Sequence, residues 1–370
     1  MNDRDYMRLT LDLAERARLT ARPNPMVGAL VVKDEEIVGS GYHVRPGGGH
    51  GEVNALKDVP DDVSAGATVY VNLEPCSFEG RTPACADLLV KKGISKVVCA
   101  MEDPDRRVSG NGFKRLRAAG IEVSVGTLAD EAERLNAPYL THRRLGRPYV
   151  TLKVAQSLDG SVATHSGDSK WITGPLSRRR GHSLRAEAQT IAVGAGTVDA
   201  DDPELTVRHV QGDNPIKIVF DSKLRSSLEA KVFQGSRCIL CTTDAADPGK
   251  IREAEAQGAE VWVTAPVDGR VDVDDILSRL ASEDVIHLLL EGGRTLAGQF
   301  LRLGLVDRLA VFCAPRLIGG QSALPDLGFD SVQDGLDVVI REVDRLGNDW
   351  AYLADVVRKR DGEESCSPVS

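Results

Sequence analysis

The sequence predicts an α/β protein built from two domains. Its 370 residues exceed the size at which a single hydrophobic core usually stops growing, so two cores are expected. Short apolar runs alternate with helical patterns along both halves of the chain, and this alternation is typical of helix-covered sheets. A composition of 42% hydrophobic and 27% charged residues fits a globular enzyme rather than a disordered or fibrous chain.

The first half begins with a helical pattern and continues as alternating strands and helices. In order, it predicts a helix over 3–19, strands over 27–33 and 37–43, a short helix after residue 50, a strand over 68–73, a helix over 84–90, a strand over 97–101, a helix over 113–119 and a strand over 121–125. This order predicts a mostly parallel, helix-covered sheet. A basic segment that ends at Pro148 marks the boundary, so we predict a first domain over 1–146.

The second half predicts a different α/β domain. Its candidate strands are 191–193, 216–220, 239–242, 261–263, 285–290 and 309–313. Helical segments separate several of them, so we predict a second domain over 147–360. The polar residues 361–370 are predicted to form a disordered tail.

Charge and hydropathy exclude several classes of protein. The net charge of −9 argues against general nucleic-acid binding, because proteins that neutralise many phosphates carry a basic excess. No run approaches the roughly 18 apolar residues of a membrane span, and residues 1–5 lack the pattern of a signal peptide. We therefore expect a cytoplasmic protein with no nucleic-acid partner and no membrane association.

One histidine, two cysteines and a glutamate form the most specific pattern. His50, Cys76 and Cys85 each lie at the end of a predicted element, where a ligand is held rigidly. Three protein ligands leave the fourth position of a zinc ion open for water, which then loses a proton near neutral pH. Glu52 is not needed as a ligand and is predicted to be the catalytic proton carrier. The pattern predicts a zinc-dependent nucleobase deaminase.

The alternative for these cysteines is that they are small buried residues. A lone histidine or a lone cysteine pair would not indicate a metal site. The helical pattern that begins at Cys85 favours a thiolate through its dipole, and Cys76 follows a proline at the end of a buried strand. These features favour the metal site.

Two glycine-containing segments in the second half indicate phosphate binding. Glu291-Gly292-Gly293 follows a predicted strand and precedes a helical pattern, so backbone N–H groups can approach a phosphate there. Such a loop alone is more often an ordinary tight turn. The segment 194–208 adds a glycine-rich strand exit, paired carboxylates that include Asp201, and an arginine, Arg208, suited to bidentate phosphate binding.

Short motifs occur along nearly the whole chain and fall into two sets, one in each half. The first half carries Asn24-Pro25-x-Val27-Gly28-Ala29, the pair His50 and Glu52, Glu74-Pro75-Cys76-Ser77, Gly80-Arg81-Thr82-Pro83-x-Cys85 and Asp103-Pro104. The second half carries Lys153-x-Ala155-x-Ser157-Leu158-Asp159-Gly160, Ser169-x-Trp171-Ile172-Thr173, Thr197-Val198, Asp201-Asp202-Pro203-x-Leu205-Thr206-x-Arg208 and Glu291-Gly292-Gly293. Both sets resemble those of the bifunctional riboflavin-biosynthesis deaminase/reductase family, and they occur in the order of that family, which leaves little room for coincidence.

The resemblance implies both fold and reactions. The first domain would have a cytidine-deaminase-like three-layer α/β/α fold, and the second a dihydrofolate-reductase-like α/β fold. The first would use zinc to hydrolyse the amino group of 2,5-diamino-6-ribosylamino-4(3H)-pyrimidinone 5′-phosphate. The second would use NADPH to reduce the ribosyl side chain, giving 5-amino-6-ribitylaminouracil 5′-phosphate. The substrate would thus be a phosphoribosyl pyrimidine, and the chain is expected to form a homo-oligomer through the reductase domain.

The resemblance also assigns roles to individual residues. His50, Cys76 and Cys85 would hold zinc. Glu52 would carry the proton, and Asn24 would line the substrate. The implied NADPH contacts are Ala155, Trp171, Thr197, Asp201, Ser222, Gly293, Arg294, Thr295, Leu296, Ala297, Gly298 and Gln299. The implied substrate contacts of the second domain are Ser169, Arg185, Leu205, Arg208 and Glu291, with the two arginines placed to neutralise the phosphate.

Some positions depart from the family pattern or leave alternatives open. Gly51 replaces the usual alanine, which would cost about 1 kcal/mol if the position is helical. Asp105-Arg106 replaces the usual Asn-Pro, so the family's substrate contact in that loop is in question. In the reductase half, Asp201 is assigned a cofactor contact and no proton transfer. Lys153 is the runner-up candidate for a catalytic residue there, because its strand is otherwise apolar.

Two other functions also stay open at this point. One is a zinc deaminase for a free nucleoside or a tRNA base, fused to an oxidoreductase of other specificity. The other is a catalytically silent scaffold stabilised by zinc. A structural zinc site has no use for a spare carboxylate, so Glu52 argues against the scaffold.

Overall fold

A computed structural model describes residues 1–78 and 84–357. The Gly80-Arg81-Thr82-Pro83 part of the first motif set and the predicted tail over 361–370 lie outside the described residues. The chain divides into two compact units, Met1–Pro148 and Tyr149–Ser370. Each unit combines helices with a sheet, so the predicted α/β fold class is confirmed.

The first unit contains a sheet with helices before, between and after its strands. Its helices within the described residues are α1 (Asp3–Glu15), α2 (Gly51–Leu56), α3 (Asp61–Ser64), α4 (Cys85–Lys91), α5 (Asn111–Ala118), α6 (Ala129–Leu135) and α7 (Ala137–Leu145). Its strands are β1 (Gly28–Lys33), β2 (Glu36–Tyr42), β3 (Thr68–Val71), β4 (Lys96–Cys99) and β5 (Glu122–Val125). They lie in the order β2-β1-β3-β4-β5.

This sheet is mixed, so the prediction of a mostly parallel sheet is wrong for the first unit. Strand β1 pairs antiparallel with both β2 and β3, whereas β3-β4 and β4-β5 are parallel. Asp34 and Glu35 link β1 to β2, and both have positive φ angles, 49° and 67°. Two successive left-handed residues are the signature of a tight hairpin, which forces neighbouring strands to run antiparallel.

Helices cover both faces of this sheet. A side chain at Gly28 would meet the backbone of α1, whereas a side chain at Gly41 would meet the backbone of α2. Gly41 pairs with Ala29, the residue after Gly28, and successive strand residues point to opposite faces. Helices α1 and α2 therefore lie on opposite sides, which gives the expected α/β/α layers. Gly28 and Gly41 let α1 and α2 pack closely against the strands. His50, which immediately precedes α2, therefore lies near the start of β1.

The second unit is built on a larger sheet. Its helices are α8 (Pro175–Glu187), α9 (Ala195–Asp201), α10 (Pro248–Ala256), α11 (Val273–Ser282) and α12 (Arg294–Arg302). Its strands are β6 (Tyr149–Ser157), β7 (Ser161–Ala163), β8 (Thr190–Gly194), β9 (Ile216–Phe220), β10 (Cys238–Thr243), β11 (Glu260–Thr264), β12 (Pro266–Val267), β13 (Arg270–Val271), β14 (His287–Glu291), β15 (Arg308–Ala314), β16 (Gln321–Ser322), β17 (Val338–Leu346) and β18 (Asp349–Val356). The main sheet has the order β11-β10-β9-β8-β14-β6-β15-β18-β17.

The direction of these strands places the candidate residues of the second unit at the carboxyl-terminal ends of the strands, along one side of the sheet. All neighbouring pairs from β11 to β15 are parallel, whereas β18 pairs antiparallel with both β15 and β17. The carboxyl ends of β8, β9 and β14 are followed by Thr197, Ser222 and Gly292 respectively. Ligands of parallel α/β sheets bind at that edge. Among the described residues, no helix is both long and apolar enough to cross a membrane.

Candidate functional site

The three metal-ligand candidates meet in the first unit. His50 immediately precedes α2, Cys85 begins α4, and Cys76 lies in the loop after β3. The Nδ1 atom of His50 lies 3.2 Å from Sγ of Cys85 and 3.6 Å from Sγ of Cys76. A tetrahedral zinc ion, with bonds of about 2.3 Å to sulfur and about 2.0 Å to nitrogen, separates such ligands by about 3.5 Å. Donor set and spacing both fit zinc.

The start of α4 favours a thiolate at Cys76. The backbone N–H of Cys85 donates to Sγ of Cys76 at 3.2 Å, and the N–H of Ala86 donates to the Cys76 carbonyl at 3.1 Å. A hydrogen bond from the Cys85 thiol lowers the pKa of Cys76 to about 4, and the same bond raises the pKa of Cys85. Zinc binds cysteine as the thiolate, so metal binding would release the proton of the Cys85 thiol.

Glu52 lies in the first turn of α2 beside these donors. Its side chain is 2% exposed, and its Oε2 atom has no hydrogen-bond partner among the described residues. Burial raises its pKa. A carboxyl group with a raised pKa is better suited to carry protons near neutral pH. A buried carboxylate oxygen without a partner is costly, and such groups are found mainly at functional sites.

A cleft of the first unit is lined by His50, Glu52 and Cys76 together with residues that the sequence did not single out. Its empty space, including the solvent at its mouth, is about 650 Å³, which suits a small ligand. The cleft is lined by Asn24, Pro25, Val27, His43, His50, Glu52, Leu73, Glu74, Cys76, Phe78, Asp103, Asp105, Arg107, Val108, Tyr139 and Arg143. Asn24 contacts His43 through Nδ2 and Nε2 at 2.9 Å. Burial lowers the pKa of His43, so its ring is neutral at pH 7.

Glu74 connects the Cys76 loop to the opposite wall of the cleft. Its buried carboxylate accepts hydrogen bonds from the N–H groups of Gly110 and Gly112, both at 2.9 Å, and of Asp103 and Phe113, both at 3.3 Å. These donors include the N-terminus of α5, where the helix dipole favours a negative charge. Glu74 thus fixes the Asp103 loop against the strand end that leads to Cys76.

Asp103 and Tyr139 form a further pair that sequence reasoning missed. The Tyr139 hydroxyl donates to Oδ1 of Asp103 at 2.9 Å. Burial raises the pKa of Asp103 to about 6. The Asp103-Pro104 motif hinted at this position, but Tyr139 lies on the distant helix α7 and no local pattern marks it.

In the second unit, the candidate substrate contacts Arg185 and Glu291 form a buried bidentate pair. The guanidinium Nε and Nη2 atoms of Arg185 lie 2.7 and 2.9 Å from the two carboxylate oxygens of Glu291. Lys153 brings its Nζ within 3.6 Å of the same carboxylate. Burial opposes ionisation of Glu291, but the two cations hold its pKa at about 2. Lys153 and Arg185 are therefore joined through one carboxylate at the end of β14.

Arg208 and Leu205 lie in the segment after α9. The guanidinium of Arg208 pairs with Glu204 at the surface, while its backbone N–H donates to Nδ1 of His182 at 3.0 Å. His182 lies on α8, one turn before Arg185, and the sequence did not single it out. Burial, with Arg185 and Arg208 nearby, lowers the pKa of His182 to about 4. The neutral ring thus ties α8 to this segment, and Leu205 is buried in the core beneath it.

Several candidate cofactor contacts come together at the carboxyl edge of the sheet. A side chain at Gly292 or Gly293 would lie 3.3 or 3.2 Å from Thr197, so the glycine loop runs directly beside α9. Asp201 accepts a hydrogen bond from the Ser169 hydroxyl at 3.3 Å. Ala155 is half-buried in β6, and Trp171 is 64% exposed under the Arg178 guanidinium, 4.7 Å from the ring centre.

The other candidate cofactor contacts at these strand ends either form hydrogen bonds within the protein or lie on α12. Ser222 Oγ accepts a hydrogen bond from the Val271 N–H at 3.1 Å, and Gln299 Nε2 donates to the Val271 carbonyl at 3.3 Å. Leu296, Ala297 and Gly298 are buried on α12. Arg294 and Thr295, in the first turn of α12, are exposed. The loop therefore offers its glycine backbone, rather than its apolar side chains, to a ligand.

The first unit has the donor chemistry of a zinc hydrolase, and the second has the strand-end loops of a nucleotide-dependent reductase. Residues 1–101 match the cytidine and deoxycytidylate deaminase zinc-binding region, and residues 148–352 match the RibD C-terminal domain. The chain is 41% identical over 348 residues to riboflavin biosynthesis protein RibD of Aquifex aeolicus, covering 94% of this chain and 96% of that one. It is 40% identical over 374 residues to RibD of Escherichia coli, covering 94% and 98%.

Solved structures agree with these similarities. RibD of Acinetobacter baumannii superposes with a TM-score of 0.85 at 34% identity, covering 96% of this chain and 99% of that one. A diaminohydroxyphosphoribosylaminopyrimidine deaminase/5-amino-6-(5-phosphoribosylamino)uracil reductase of Thermotoga maritima gives 0.83 at 33% identity, with the same coverage. The chain belongs to the RibD family. It is a bifunctional enzyme of riboflavin biosynthesis, with a zinc-dependent deaminase domain and an NADPH-dependent reductase domain.

Proposed function

We propose that the domain over 1–146 hydrolyses the amino group of 2,5-diamino-6-ribosylamino-4(3H)-pyrimidinone 5′-phosphate. The domain over 147–360 then reduces the ribosyl side chain of the product to give 5-amino-6-ribitylaminouracil 5′-phosphate. The observation that carries the first step is the fit of His50, Cys76 and Cys85 to zinc beside the buried Glu52. The resemblance to relatives named for this pair of reactions supports the choice of substrate.

In the deamination step, His50, Cys76 and Cys85 hold zinc and Glu52 carries the proton. Bound zinc supplies a Lewis acid that makes water nucleophilic at neutral pH. Glu52, whose pKa burial raises, would take a proton from the attacking water at its carboxylate and deliver it to the amino group, which then leaves as ammonia. Asn24, held by His43, lies in the same cleft and positions the pyrimidine.

In the reduction step, the protein orients NADPH against the substrate and excludes water. NADPH supplies the hydride when bound. Its proposed contacts are Ala155, Trp171, Thr197, Asp201, Ser222 and the segment at the start of α12, which comprises Gly293, Arg294, Thr295, Leu296, Ala297, Gly298 and Gln299. The substrate contacts are Ser169, Arg185, Leu205, Arg208 and Glu291. Both arginines are placed to neutralise the 5′-phosphate: Arg208 is exposed and pairs with Glu204, and Arg185 pairs with Glu291 beside Lys153.

A homo-oligomer through the reductase domain is part of this proposal. Strand β17 is exposed along nearly its whole length, and Val338, Val339, Ile340 and Val343 are all open to solvent there. A long apolar edge strand is a surface that proteins normally cover. A second copy of the chain would cover it. We also place the enzyme in the cytoplasm, which suits the free thiols of its described cysteines.

The experiment supplies the diaminopyrimidinone phosphate with zinc and NADPH, and follows ammonia release and NADPH oxidation separately. Glu52→Ala is expected to abolish ammonia release yet still reduce the deaminated intermediate. Arg208→Ala is expected to do the reverse. If both substitutions disable both steps, the two-site assignment fails. Ammonia release from cytidine or RNA, with none from the phosphoribosyl compound, would favour a nucleoside or tRNA deaminase instead.

A further inference from the structure

Two arginines and one aspartate form a charged cluster at the mouth of the first-unit cleft. Arg107 makes a bidentate pair with Asp105, from Nε at 2.9 Å and from Nη2 at 2.6 Å. The Nε atom of Arg143, on α7, lies 3.6 Å from Oδ2 of the same carboxylate. Asp105 is buried, and its hydrogen bonds from Arg107 lower its pKa, so it is ionised. The cluster therefore carries two positive charges and one negative charge.

This excess positive charge stands out because the rest of the cleft is acidic. Among the described residues that line it, the side chains with a permanent positive charge are Arg107 and Arg143. A buried carboxylate needs only one bidentate guanidinium to be neutralised. The second arginine gives this cluster one more positive charge than Asp105 neutralises, at the mouth of a cleft whose other carboxylates are buried deeper and in a chain whose net charge is −9. Such a charge attracts an anionic ligand.

The charges are also ordered by depth. The carboxylates of Glu52, Glu74 and Asp103 are only 2%, 4% and 5% exposed, whereas the side chains of Arg107 and Arg143 are 60% and 30% exposed. Proton transfer takes place at the buried end, beside Glu52. A ligand whose reacting amine enters at that end therefore extends its opposite end toward the two guanidinium groups.

Aromatic rings fix the orientation of both guanidinium groups. The centre of the Arg107 guanidinium lies 4.9 Å from the ring centre of Phe78, and that of Arg143 lies 5.4 Å from the ring centre of Tyr139. Stacked guanidinium groups lose less freedom when they bind an anion, which favours bidentate recognition of a phosphate.

We propose that Arg107 and Arg143 bind the 5′-phosphate of the deaminase substrate and set the preference of this site for phosphorylated pyrimidines. The inference rests on the proposed deaminase function of the cleft. The amino group and the phosphate lie at opposite ends of that substrate, matching the buried zinc-ligand end and the cationic mouth. Asp105 holds the two arginines together and partly neutralises them before the phosphate arrives.

The experiment compares ammonia release from the diaminopyrimidinone phosphate and from its dephosphorylated counterpart. The variants are Arg107→Ala, Arg143→Ala, their combination and Arg143→Lys. Arg144→Ala is the matched control, because Arg144 is the next residue on α7 but pairs with Glu133 at the surface, at 2.7 Å. The zinc content of each variant verifies that the first unit is folded.

Each single arginine-to-alanine variant is expected to raise the KM for the phosphorylated compound about tenfold or more, with little change for the dephosphorylated one. The double variant loses the preference, Arg143→Lys keeps part of it, and Arg144→Ala behaves as the wild type. A double variant that retains the wild-type preference overturns the inference alone. A wild-type protein that releases no ammonia from either compound overturns the proposed function and the inference with it.

Discussion

The Arg185–Glu291 pair makes a quantitative prediction about the stability of the second unit. The pKa of Glu291 falls from its ordinary value of 4.5 to about 2, despite its burial, because Lys153 and Arg185 stabilise the carboxylate. At about 1.4 kcal/mol per pKa unit, this corresponds to about 3 kcal/mol of stability at neutral pH. Glu291→Gln keeps the size of the side chain but removes its charge, so the variant should lose about that much.

The pH dependence follows from the direction of the change in pKa. Because the folded-state pKa lies below the unfolded value, the contribution is complete above about pH 5 and disappears as the pH falls from 4.5 toward 2. The difference between wild type and Glu291→Gln should thus be constant from pH 8 to pH 5 and fall to about half at pH 3.

Urea unfolding followed by tryptophan fluorescence measures this difference. The tryptophans, Trp171, Trp262 and Trp350, all lie in the second unit, so the signal reports that unit. Asp275→Asn is the control, because its pair with Arg279 is more than one third exposed on both sides and should contribute about 0.5 kcal/mol or less. A difference for Glu291→Gln that is below 1 kcal/mol, or that does not change with pH, would refute the reasoning.

Three further substitutions test the first unit. Gly51→Ala should lower the stability of the first unit by about 1–3 kcal/mol, because the new Cβ would lie 2.9 Å from the Val27 carbonyl oxygen. A raised Tm would show that the higher helix propensity of alanine outweighs this close contact. Glu74→Gln should slow ammonia release and leave reduction of the deaminated intermediate unchanged, because the bonds it weakens, to Asp103 and to the start of α5, all lie in the first unit; equal loss of both activities contradicts this. Cys85→Ser should abolish stoichiometric zinc binding measured by elemental analysis, and full retention would remove that residue from the ligand set.

The zinc-site candidates could be found from the sequence because each is marked locally. His50, Cys76 and Cys85 lie at the ends of predicted helices and strands. Together with Glu52, these residue types are typical of a zinc-dependent deaminase. The structure brings all four together.

The cleft walls could not be found in this way. Tyr139 reaches Asp103 from a helix 36 residues further along the chain, and Arg143 reaches Asp105 across 38 residues. Pairs of this kind depend on how α7 packs against the rest of the first unit, and no periodicity or motif in the sequence predicts that packing.

The strand directions of the first unit were also beyond the sequence pattern that we used. Alternating strands and helices favour parallel pairs, but the tight turn at Asp34 and Glu35 overrides that tendency locally. In the second unit, the hydrogen bond from the Val271 N–H to Ser222 joins residues 49 positions apart, and no local sequence pattern indicates it.

The most direct test of two independent reaction sites is removal of zinc from the wild-type enzyme with a chelator. Ammonia release from the diaminopyrimidinone phosphate should be lost and should return when zinc is restored. NADPH oxidation with the deaminated intermediate supplied directly should continue at the same rate throughout, because the Arg185–Glu291 site includes no metal ligand of the first unit. Loss of both activities on zinc removal, or of neither, would contradict the account.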